Sequence, residues 1–402
     1  MAARLLTIAE PGGAHAAVAG PAPHGWPGLR LGFRPFYLAA ALFAVVAMAL
    51  WPAVFLGRVR PVSGLAPTLW HAHEMIFGAM IAVVIGFLLT AGKVWTGRAT
   101  PRGPALGALV ALWLAGRCAG LLAPSGMFAL VDGAFLPLVA ALFARLLLRA
   151  GQWHNAAVAF TLSLMAAANL SFPAAALGAW AIDAMTPLHA GLALLVVLES
   201  LIGGRVIPAF TRSAIPGAAM RERPWLGRCA IVATALGLAL WIADLPFAAS
   251  TLALAAALQA ARLAGWRPWV AWRRPILWIL HLAYAWIPLG LALLALAAAG
   301  LVSRSAGVHA LAVGATGGMV LGMMTRTARG HTGRVLQASR AEVAAYACLM
   351  LAATLRVTAA LVPAWFEPAT CAAGGAWIAA FALYAWRFAP WLMSPRIDGK
   401  DG

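Results

Sequence analysis

Four histidines, His71, His73, His189 and His309, stand near one end of long apolar stretches. Imidazole is the commonest metal ligand in proteins and a proton carrier near neutral pH. An ionisable side chain within a bilayer is costly and usually functional. Any one of these residues alone reads as an idle interfacial histidine. Four at a similar depth read as a metal or cofactor site. The densest segment is Trp70-His71-Ala72-His73-Glu74-Met75. Side chains two apart on a helix are separated by about 200°, so His71 and His73 face opposite ways and serve different partners. His71, Glu74 and Met75 share a face, and imidazole, carboxylate and thioether together suit copper. The alternative is a helix start, with Glu74 favoured by the helix dipole and Met75 as packing.

Other polar groups fall at the same level. Arg117, Asp132 and Arg356 lie about a turn or more inside apolar stretches. Arginines beside imidazoles within apolar walls are what a haem needs: axial nitrogens for iron and guanidinium forks for the propionates. An Arg117–Asp132 ion pair competes with that reading, whereas Arg356 has no obvious acidic partner. Elsewhere, Glu199 stands mid-stretch, either as a proton relay or as a partner for Arg205. His281 is a second-depth ligand or a hydrogen bonder between helices near Tyr284. Gly314, Gly317 and Gly318 read first as close helix packing and second as room for a flat cofactor.

The elements that must position these residues follow from composition. Of the 402 residues, 63% are hydrophobic and 10% charged, against roughly 45–50% and about 25% in soluble domains. Hydropathy marks twelve spans, at 36–56, 70–92, 104–122, 128–148, 155–173, 187–207, 226–244, 247–263, 275–301, 308–328, 342–362 and 368–388, each long enough to cross a bilayer. The fold class is therefore all-α, a polytopic membrane protein with a transmembrane domain over 36–388. Residues 1–35, rich in Ala, Pro and Gly and carrying His15 and His24, read as a disordered N-terminal tail, and 389–402 as a C-terminal one.

The net charge of +18 arises from 29 Lys and Arg against 11 Asp and Glu. Nearly all the basic residues lie in the two tails and alternate loops. The opposite loops hold only Arg58, Arg60 and Arg304, and Arg117 and Arg356 lie within spans. The positive-inside rule then expects both termini in the cytoplasm, and the charge answers to topology and anionic lipid rather than to nucleic acid. Four isolated cysteines give neither a disulfide framework nor a thiolate zinc site, and without a C-x-x-C-H motif any haem is non-covalent. The spacing from His73 to Thr96-Gly97-Arg98 equals that from His309 to Thr332-Gly333-Arg334, and His189 with Thr211-Arg212 is similar. A threefold repeat of four-helix units is one explanation.

Leu31-Gly32-Phe33-Arg34-Pro35-Phe36, the Trp70–Met75 segment, Gly203-Gly204-Arg205-Val206-Ile207-Pro208-Ala209-Phe210-Thr211, His281-Leu282-Ala283-Tyr284-Ala285-Trp286 and Gly330-His331-Thr332-Gly333-Arg334 together resemble the NnrS family. That resemblance implies a bacterial inner-membrane protein of twelve helices containing haem and copper, linked to denitrification and to tolerance of nitric oxide. It supplies no established ligands. Haem-copper oxidases are similar in helix number, but this chain has no histidine on its seventh span, so their binuclear centre does not carry over.

The residues assign His73 and His309 as axial ligands, His71 and His189 (with Glu74) to copper, Arg117 and Arg356 to the propionates, His281 to a second-depth role and Glu199 to proton relay. Nitric oxide, concentrated in the apolar bilayer, is the expected ligand; the electron donor is open. A secondary transporter with a polar midplane site and a metal-free response scaffold are the competing classes.

Overall fold

The computed structural model describes residues 25–401, so His15 and His24 lie outside the described residues. Twelve long helices follow one another: α1 (Phe33–Phe55), α2 (Pro67–Thr96), α3 (Pro104–Leu122), α4 (Ser125–Ala150), α5 (Ala156–Ala176), α6 (Met185–Ala214), α7 (Pro224–Ile242), α8 (Ala248–Gly265), α9 (Pro275–Ala298), α10 (Arg304–His331), α11 (Arg340–Leu361) and α12 (Phe366–Leu392). No strand occurs among the described residues. Eleven of these helices are long and apolar enough to cross a membrane. The twelfth, α8, has 18 residues and carries Gln259 and Arg262. Each expected span coincides with one helix, but α6 runs on to 30 residues and α10 to 28.

Local chemistry fixes the ends. Proline opens α2, α3, α7 and α9, where its missing N–H costs no intrahelical bond. Gly97 and Gly151 close α2 and α4 in the left-handed conformation that residues with a Cβ avoid. Ser339 and Glu342 form a reciprocal capping box at the start of α11.

The chain packs largely as antiparallel neighbours, α11 against α12, α8 against both α7 and α9, and α1 back against α12. The interior belongs to α2 and α10. In each, 78% of the most apolar window is buried, against 61% or less in every other span. These two helices carry three of the four histidines His71, His73, His189 and His309. The N-terminal tail ends earlier than residue 35: Leu31, Phe33 and Arg34 are buried, and Arg34 donates to the carbonyls of Leu392 (2.8 Å) and Ser394 (2.7 Å).

Candidate functional site: two histidine-led π turns

Both central helices change pitch immediately after a histidine. In α2, π-helix covers Glu74–Met80, following His73; in α10 it covers Ala310–Gly317, following His309. The two π turns pack against each other. Such turns widen the helix, re-aim the side chains before them and concentrate at functional sites. Each has a glycine five residues after its histidine, Gly78 and Gly314. A Cβ on Gly78 would stand 2.8 Å from Phe43 and 3.0 Å from Arg117 Nη1, and one on Gly314 would overlap the Trp286 indole. Cβ atoms on Gly317 and Gly318 would meet Trp377 at 3.0 Å and Ala283 at 2.8 Å. The α10 glycines therefore serve close packing, and neighbouring rings already fill the space beside them.

On α2 the polar groups form a closed network. His73 is fully buried, with Nδ1 3.1 Å from Glu74 Oε1 and Nε2 3.0 Å from Asn169 Oδ1 and 3.2 Å from Asp132 Oδ2. Arg117 Nη1 donates to Glu74 Oε2 at 2.7 Å, Arg117 Nη2 pairs with Asp132 Oδ1, and Asn169 Nδ2 donates to Asp132 Oδ2 at 2.9 Å. Phe172 stacks on the imidazole at 4.7 Å between ring centres. Both ring nitrogens face oxygen atoms, Nδ1 toward Glu74 and Nε2 toward Asn169 and Asp132. The two buried carboxylates are held by the Arg117 guanidinium and by hydrogen bonds from their neighbours, the condition under which buried charge is tolerated. Neither nitrogen of His73 is left for a metal, and both Nη atoms of Arg117 are taken. These two residues fit neither an axial ligand nor a propionate clamp.

The α10 site is open. His309 Nδ1 lies 2.8 Å from the Ser305 carbonyl and 3.1 Å from Ser305 Oγ; donation to the carbonyl leaves Nε2, which has no hydrogen bond, as a lone pair. Ser305 Oγ links this ring to Arg356 of α11, and His71 of α2 is an electrostatic neighbour of both. His71 stacks on Trp51 at 4.3 Å, and its buried Nδ1 has no partner. Arg356 Nη2 reaches Ser305 Oγ at 3.3 Å, while its Nη1 is buried without a partner.

A family model described as NnrS protein matches residues 27–396, nearly the whole chain. The chain belongs to the NnrS family. It is thus a membrane protein related to the nitric oxide response. No curated protein matches it.

In this NnrS chain the expected site residues divide into groups. His71, His309 and Arg356 come together; His73, Glu74 and Arg117 belong to the closed network with Asp132. The shared face expected for His71, Glu74 and Met75 is not realised, because the helix widens from Glu74 onward and Glu74 joins the His73 side. His189 stands apart, its ring on Trp241 and its charged neighbours Arg304 and Asp183. His281 pairs with Thr211 Oγ1 at 3.0 Å, and Tyr284 bonds instead to Gln259 and Arg262. Arg205 donates to Asn155 rather than to Glu199. Glu199 faces Thr316 in the α10 π turn, and beyond one another the Glu199 Oε2 and the Thr316 hydroxyl have no partner in their buried setting. Among the described residues no three His, Cys, Asp or Glu side chains converge on a metal position. Asn169, Ser305 and Gly78 escaped the sequence reading. The first two are neutral side chains, and a lone glycine in an apolar helix carries little signal.

Proposed function

We propose that this protein binds or processes nitric oxide at a haem near the outer face, with His309 as the iron ligand, His71 beside it and Arg356 toward a propionate. The observation that carries this is the His309 ring: its Nδ1–H donates to a backbone carbonyl, so Nε2 presents a lone pair, as in the outer-shell arrangement that orients ligating histidines. The donor set fits the group. Two imidazoles have free nitrogens, and one guanidinium has a donor in search of an anion. A haem with an open position would supply the affinity for nitric oxide. Trp51 keeps the His71 ring in place by stacking, and the apolar helices exclude water. Glu199 and Thr316, buried with no partner beyond one another, would supply the oxygens for a proton relay into the interior from α6.

Copper fits less well: among the described residues no third His, Cys, Asp or Glu joins the imidazoles of His71 and His309. A transporter draws support from Glu199 and the two π turns, but α2 and α10 run through their π turns without a break.

The test is the visible spectrum and metal content of the purified protein, before and after nitric oxide. The wild type is expected to show a Soret band that shifts on adding the gas, and His309→Ala to lose it. Arg356→Gln should weaken retention of the group, and His73→Gln should keep the band in whatever fraction folds. A colourless wild type overturns the proposal and favours transport.

A further inference from the structure

The loops that carry most of the arginines lie at the end of the bundle opposite the outer histidines, and two cavities open there. One, of about 500 Å³, lies between the segment after α2 and the C-terminal end of α4. Arg98, Arg145 and Arg149 line it, over a wall of Leu142, Phe143 and Leu146. The other, of about 370 Å³, lies between the segment after α6 and the C-terminal end of α8, lined by Arg221, Arg223 and Arg267 with Leu226 and Trp269. Counted along the chain, each sits between the loop leaving one helix and the end of the helix two further on.

No acidic residue lines either cavity. Among the described residues, none of the six guanidinium groups makes a hydrogen bond or ion pair. Neighbouring cations on the same face do: Lys93 and Arg102 with Asp401, Arg212 with Glu222, Arg329 with Glu342, and Arg396 with Asp398. The corresponding third position lies between the loop after α10 and the end of α12, where Arg334 and Arg387 rest on Trp391. There the chain covers itself. Residues 394–399 cross the loop, and the Ile397 N–H bonds to the Thr332 carbonyl at 3.3 Å.

We infer that these two cavities hold the phosphate headgroups of anionic membrane phospholipids. Guanidinium forks match phosphate oxygens in pairs, and basic pockets between spans take acidic headgroups. The volumes suit a small ligand. The leucine and phenylalanine walls and Trp269 give the first part of an acyl chain an apolar path that a free phosphate ion has no use for, and tryptophan favours this interfacial level. The third position needs no lipid because the C-terminal segment already lies over it.

The full chain in nanodiscs of phosphatidylcholine, with and without phosphatidylglycerol, provides the test, read by native mass spectrometry and thermal unfolding. Wild type is expected to retain two phosphatidylglycerol molecules and to melt higher with it. Arg98→Gln/Arg145→Gln/Arg149→Gln should lose one, with affinity at that site falling about 10-fold or more, and Arg221→Gln/Arg223→Gln/Arg267→Gln should lose the other. The substituted residues are exposed or at loop positions, and melting in pure phosphatidylcholine should match wild type, which confirms folding. Equal lipid retention in wild type and variants, equal retention of phosphatidylcholine, or displacement of the lipid by millimolar inorganic phosphate would each overturn the inference.

Discussion

The π turns of α2 and α10 are alike in position, length and glycine placement, yet the histidines that lead them have opposite fates. His73 has both nitrogens bonded inside a network of charged groups; His309 has one nitrogen anchored and the other without a hydrogen bond. A histidine in a membrane helix is thus not informative by itself. What separates a structural histidine from a candidate ligand is whether its neighbours occupy both ring nitrogens or only one.

The largest difference between the two regions should appear on removing an arginine. Arg117→Ala strands Glu74 and Asp132 in the interior, and loss of one partner of a buried ion pair costs about 3–5 kcal/mol. Arg356→Ala gives up a single long bond to Ser305, worth about 0.5–1.5 kcal/mol. Chemical or thermal unfolding in detergent compares the two, and near-equal losses would erase the distinction drawn between them. A smaller effect comes from the matched glycines. Gly78→Ala and Gly314→Ala each force a methyl group into occupied space and should cost about 1–3 kcal/mol by the same assay. Only Gly314→Ala, which displaces Trp286 beside the open site, should also alter the visible spectrum.

The smallest effect touches neither region and serves as a control for both. Hydrogen bonds from Arg396 hold the Asp398 carboxyl down at about 2, below the roughly 3.9 of an unfolded aspartate. A depressed folded value means that the contact stabilises above about pH 4 and is lost as pH falls through about 2. Exchange protection of the Ile397 amide should fade over that window, while any visible band belonging to the histidine sites stays unchanged until the protein unfolds.

The twelve helices were legible in the sequence because a bilayer imposes length and hydropathy on every span, and both are one-dimensional quantities. The site was legible only in part. Histidines and arginines announced themselves as costly residues in apolar surroundings, and the opposite headings of His71 and His73 followed from helical pitch. The grouping did not follow, because it depends on where pitch changes. Neither Glu74–Met80 nor Ala310–Gly317 carries a residue pattern specific to π-helix, and the neutral partner that closes the α2 network, Asn169, lies on α5, far along the chain.

The α2 π turn has one more consequence. It amounts to roughly one surplus residue in an otherwise regular helix, so deleting a single residue within Glu74–Met80 would restore the ordinary phase and swing everything before it by about 100° around the axis. His73 would leave its aromatic sleeve and His71 would turn off Trp51. One codon's length of chain thus sets which imidazole is locked into the structure and which is offered to a guest.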